Sequence, residues 1–126
     1  MTSIEPELWV DRAAAAVDFY AVAFGATVVI QVGEGDDIVA RLAVDDARFW
    51  IAAASTDRGR FSPERIGGAT GRLLLVVEDP DVTVARAVAA GAQLVAAVSD
   101  EHGWRLGRVV DPYGHEWEIG RQTPGS

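Results

Sequence analysis

The feature that most narrows the folds open to this chain is an order of elements that occurs twice. Laying residues 17–32 on residues 83–98, an offset of 66, matches Ala21 with Ala87, Val22 with Val88 and Ala23 with Ala89. Gly25 then matches Gly91, Ala26 matches Ala92, Val29 matches Val95 and Val32 matches Val98. Alanine-rich composition inflates such identities, so the repeated order of helix and strand signals is the stronger evidence. In the first half Leu8-Trp9-Val10 reads as a short strand and Asp11 as a helix cap. Ala13 to Phe24 reads as a helix, with Ala13, Val17, Tyr20 and Phe24 on one stripe and Asp18 turned away. Gly25 stops it as a left-handed C-terminal residue, and strands follow over 26–32, 38–44 and 47–53. In the second half Arg72 to Val77 is a strand and Asp79-Pro80 places a cap before a proline at the first helical position. Val82 to Ala90 is a helix ended by Gly91, and strands follow over 93–98, 104–110 and 115–119.

Each half therefore reads β-α-β-β-β, and one helix covers only one face of its sheet. The expected fold class is α+β: two βαβββ modules whose curved, mixed sheets enclose a cup with the helices outside. The boundaries are a single domain over 1–126, a first module over 5–54, a connection over 55–71 and a second module over 72–120. The connection is polar and carries Pro63 and four glycines, which suits either a linker or a flap. The tail from Gln122 is expected to fray.

The most informative short stretch runs from Gly107 to Ile119. Asp111-Pro112-Tyr113-Gly114 is turn chemistry: proline fixes one corner, Asp111 bonds its own backbone, and Gly114 tolerates positive φ. Beyond the turn, period-two geometry puts His115, Trp117 and Ile119 on a core face and Glu116 and Glu118 on the other. His115 is expected to bond backbone groups near the turn, and His102, beside Gly103, to sit in an exposed loop.

Composition excludes several classes. There are no cysteines, which removes disulfides and thiolate metal sites. Nineteen acidic residues against eleven basic give a formal charge of −8, with no basic stripe for nucleic acid. The longest apolar run, 21–30, is far short of the ~20 residues a membrane span needs. The N-terminal residues lack the basic and apolar regions of a secretory leader, so a cytoplasmic location is expected.

The alanine-rich first helix with Phe19-Tyr20 and then Phe24-Gly25-Ala26 resembles the glyoxalase/bleomycin-resistance/extradiol-dioxygenase family, the vicinal oxygen chelate superfamily. Val77-Glu78-Asp79, residues 89–92 and Arg105-Leu106-Gly107-Arg108-Val109 fit as well. The run from Asp111 to Trp117 looks most like the short PhnB-like branch. The resemblance implies paired βαβββ modules and a homodimer with its cups at or near the interface. It also implies a divalent metal held at positions that here are Glu5, Ala52, Arg72 and Glu118. Alanine cannot ligate, and a guanidinium is a permanent cation with donors only. No metal and no other cofactor is therefore expected.

On this register the cup is lined by Glu5, Glu7 and Trp9 from the first strand and Trp50 from the fourth. Arg72 and Leu74 come from the fifth, Trp104 from the seventh, and Glu116 and Glu118 from the last. Such a wall is aromatic, apolar and net acidic, which suits a cationic or aromatic ligand through stacking and cation–π attraction. The expected function is metal-free sequestration of a small drug or metabolite, as the resemblance to bleomycin-resistance proteins implies, with no catalytic residues. The alternative is a metal-dependent lyase, isomerase or dioxygenase of the glyoxalase type. Glu118 and Arg72 paired as a structural ion pair is the competing reading of those two residues.

Overall fold

The computed structural model describes residues 1–124. Its elements follow the doubled order: β1 (Glu7–Val10), α1 (Ala13–Phe24), β2 (Thr27–Val32), β3 (Val39–Val44) and β4 (Ala47–Ala53), then a short α2 (Pro63–Ile66). The second set is β5 (Arg72–Val76), α3 (Pro80–Ala89), β6 (Gln93–Glu101), β7 (Trp104–Val110) and β8 (Glu116–Gln122). They form two four-stranded mixed sheets, ordered β1-β4-β3-β2 and β5-β8-β7-β6. In each, the first strand runs parallel to the last and the remaining pairs are antiparallel. No helix among the described residues is long and apolar enough to cross a membrane.

Both helices behave as their local chemistry dictates. Asp79 caps α3 by accepting a hydrogen bond from the Val82 N–H at 3.2 Å, with Pro80 at the first helical position. Gly25 ends α1 at φ 71°, and its N–H reaches the Ala21 carbonyl. Period-two alternation then sends Leu8, Val10, Phe49 and Ile51 inward against the stripe Ala13, Val17, Tyr20 and Phe24 of α1. Val109, Trp117 and Ile119 bury the matching face of the second sheet, and α1 packs against α3. Filling one such site with a large apolar side chain stabilises by about 1.5–3 kcal/mol.

The two halves are joined through one aromatic cluster. Trp117 of β8 lies 4.9 Å from Phe24 and 5.6 Å from Phe49, centroid to centroid, both edge-on. Beneath it is Asp111, only 3% exposed. Its Oδ1 accepts from the backbone N–H groups of Tyr113 and His115 at 2.9 and 3.0 Å, the local bonding a turn aspartate makes. Its Oδ2 accepts from the Trp117 indole at 2.9 Å and from the Tyr20 hydroxyl of α1. Desolvation, followed by the neighbouring Asp111 carboxylate, holds the Tyr20 phenol well above its ordinary pKa.

Several expectations need correction. Asp11 does not cap α1; the N-terminal flanking residue is Arg12, which makes no side-chain cap. The Asp11 carboxylate instead accepts from Ser62 Oγ and Arg65 Nε, each at 2.9 Å. The connection over 55–71 is no plain linker: it holds α2, a fully buried Ser62, and an Arg12–Glu64 ion pair. Strand β6 runs three residues beyond Val98, through two register shifts. The chain does not fray at Gln122, which ends β8, and the Thr123 N–H bonds the Gly103 carbonyl. Gly125 and Ser126 lie outside the described residues.

Candidate functional site

Directly paired residues in a sheet share a face. In the first sheet Glu7 pairs with Trp50, Trp9 with Ala52, and Arg41 with Trp50. These side chains therefore occupy the face away from α1, opposite Leu8, Phe49 and Ile51. In the second sheet Arg72 pairs with Glu116, while Leu74 and Arg108 both pair with Glu118. That face likewise points away from buried Trp117 and Ile119. Glu5 precedes β1 rather than lying in it, but its side chain reaches the same face. Trp104 opens β7 opposite Gln122, four residues from Arg108 and so about 13 Å away along the strand. It stands apart from the other candidates.

The charges on these faces differ from the expectation. Arg41, Arg48 and Arg108 are on the walls too, so the four carboxylates meet four guanidinium groups and the surface is balanced. Glu5 Oε1 accepts from Arg41 Nε at 2.9 Å and from the Trp50 indole at 3.0 Å. The Arg41 hydrogen bond is the main reason the Glu5 carboxyl sits below its usual range. Arg41 also lies 5.8 Å from the centre of the Trp50 ring. Glu118 Oε2 accepts from Arg108 Nε at 2.9 Å, and its Oε1 lies 3.6 Å from Arg72 Nε. The structural ion pair is thus present, with Arg108 as its closer partner. Glu7 accepts from the Trp9 indole at 2.8 Å. The missed Arg41 and Arg108 had a sequence signal. Arg41 alternates with buried Ala40 and Leu42, and Arg108 lies opposite Glu118 across a hairpin whose turn sets the register.

The donors do not suit a metal. Zinc, nickel or iron normally take three or four N, O or S ligands. Here the two carboxylates at the implied positions are each bonded to a guanidinium, and the other two positions hold a methyl group and Arg72. Among the described residues no group of three or more His, Cys, Asp or Glu side chains is placed to hold a metal ion. His115 Nε2 lies 2.9 Å from the Trp9 carbonyl, so it carries a proton there and bonds backbone, as expected. His102 is exposed, at φ 49°.

The edges of β1 and β5 flank a cleft of about 350 Å³, lined by Glu7, Trp9, Phe61, Ile66, Arg72 and Leu73 among others. Trp50, Glu116 and Glu118 are not part of that lining. A larger groove of about 900 Å³ lies between the end of α1, the β3–β4 turn and the start of α3, and none of the four tryptophans lines it.

A sequence model of the glyoxalase-like domain matches residues 7–120. That assignment is coarser than the PhnB-like branch. An uncharacterized protein of Mycobacterium bovis, Mb0911c, is 34% identical over 125 residues, an alignment spanning 94% of this chain and 82% of that protein. The crystal structure of an Arabidopsis thaliana gene product is similar at 28% identity and TM-score 0.74, covering 96% of this chain and 99% of that one. A glyoxalase/bleomycin resistance protein/dioxygenase family enzyme from Burkholderia phytofirmans shares the fold at 19% identity and TM-score 0.72, covering 96% and 99%.

Proposed function

Because this chain belongs to the glyoxalase-like domain family, we propose that it binds a small organic molecule on its helix-free sheet faces and sequesters it without a metal. One observation carries the reading: both carboxylates at the implied metal positions are bonded to arginine, while the indoles of Trp9 and Trp50 remain on the same face. A flat aromatic ligand suits such a wall, because stacking needs no free charge. Attraction for a cation rests on Glu7 and Glu116, since Glu5 and Glu118 are already answered by guanidinium groups.

The test is a thermal-shift panel of flat aromatic compounds, cationic and neutral. A ligand at 100 times its Kd adds ~2.7 kcal/mol to stability. Trp50→Ala is expected to abolish the shift, and a shift that survives it removes the tryptophan face as the site. Elemental analysis after incubation with zinc, nickel, manganese and iron is expected to find no stoichiometric ion. One tightly held ion per chain favours the metal-dependent lyase, isomerase or dioxygenase reading instead.

A homodimer is part of the same proposal. Strand β2 is an edge strand with every residue exposed, and Val28, Val29, Ile30 and Val32 give it an apolar surface without charge. Unprotected edges of this kind are pairing surfaces. Sedimentation of the intact chain is expected to give twice the monomer mass, and Val32→Lys to lower it.

A further inference from the structure

The cleft between β1 and β5 has a chemistry of its own. The carbonyls of Pro6 and Val10 accept from Trp50 of β4 and from Ala54 just beyond it, so alternation turns the backbone groups of Glu7 and Trp9 away from β4. The Trp9 carbonyl is used by His115, and the Glu7 carboxylate by the Trp9 indole. Trp9, Leu73, Phe61 and Ile66 supply apolar walls, the last two with 47% and 52% of their surface exposed. Arg72 differs from Glu7 and His115 there. Its guanidinium makes no hydrogen bond among the described residues; its one ionic contact is the 3.6 Å approach to Glu118, whose other oxygen Arg108 already holds. A half-exposed arginine without a hydrogen-bonded partner thus lines a cavity of ligand size.

We propose that this cleft is a second binding site and takes a hydrophobic monocarboxylate. The apolar body lies against Trp9, Phe61, Ile66 and Leu73, and the carboxylate accepts from the Arg72 guanidinium. A planar fork of donors matches a carboxylate in two parallel bonds. Glu7, which lines the cleft, and Glu116, the register neighbour of Arg72, oppose the ligand's charge and set a ceiling on affinity. The cleft shares Trp9 and Glu7 with the tryptophan face but not Trp50, so a change at Trp50 tells the two sites apart.

Calorimetric titration of the intact protein with phenylbutyrate tests it, with phenylbutyramide as the uncharged comparator. Saturable binding of one molecule per chain is expected, about tenfold or more weaker for the amide. Arg72→Gln is expected to weaken the acid by a similar factor and leave the amide unchanged; Glu116→Gln is expected to tighten the acid. Trp50→Ala is expected to change neither, which separates this site from the tryptophan face. The proposal is overturned if acid and amide bind alike, if neither saturates in the millimolar range, or if Trp50→Ala removes binding of the acid. The comparison of acid with amide on the unaltered protein stands whatever Arg72→Gln does to folding.

Discussion

Asp111 accepts four hydrogen bonds at a site closed to water, two from its own turn and two from aromatic side chains. A buried anion without a cationic partner is tolerable only when its oxygens are answered this fully. Asp111→Asn replaces one accepting oxygen with a donor amide and sets it against donors, so a loss of about 2–4 kcal/mol is expected from urea unfolding. Tyr20→Phe removes one donor and leaves three, for about 1–2 kcal/mol. The pH dependence has a definite sign. The Tyr20 phenol is raised in the folded protein above its ordinary value of about 10, so its protonated form is favoured by folding. That contribution is whole below pH ~10 and declines as the pH rises further and the unfolded chain ionises. Unfolding midpoints measured between pH 8 and about 11 are expected to fall for the wild type and to fall less steeply for Tyr20→Phe.

At the scale of elements, α2 and the turn before β8 hold each other in place. Gly114 sits at φ 91°, and a Cβ there would meet the Pro63 Cβ at 2.8 Å. Gly114→Ala therefore combines backbone strain with a clash, and a loss of about 2 kcal/mol or more is expected in thermal unfolding. Asp11→Ala leaves Ser62 buried with a hydroxyl donor unmet and the Arg65 guanidinium held only by Thr56, so faster amide exchange over residues 56–68 is expected. Both helices were legible in the sequence because their signals are local: an apolar stripe, a capping aspartate before proline, a glycine at the end. The alternation that puts Trp50, Leu74 and Glu118 on one kind of face was legible for the same reason. Asp11 was misread because its partners lie 51 and 54 residues away, where no local pattern reaches. The near-neutral charge of the walls was missed similarly, since Arg41 meets Glu5 only across the folded sheet.

At the scale of the molecule, the duplicated halves share their interior rather than merely touching. Tyr20 and Phe24 come from the first and Trp117 and Asp111 from the second, yet all belong to one cluster. The lengths of chain over 1–66 and 67–126 are therefore expected to lack a cooperative unfolding transition when expressed separately. Mixing them is expected to restore the near-ultraviolet circular dichroism of the intact protein. A persistent transition in either piece alone would mean that the shared interior is dispensable.

Tyr20 and Asp111 also bear on the history of such a chain. One half of the doubled order holds a phenol whose acceptor is in its sister. Separation would strand the phenol and leave the carboxylate one donor short, so the doubling can no longer be undone by cutting. A change at either residue is felt in both halves, whereas the sheet faces turned away from that bond are not tied to it.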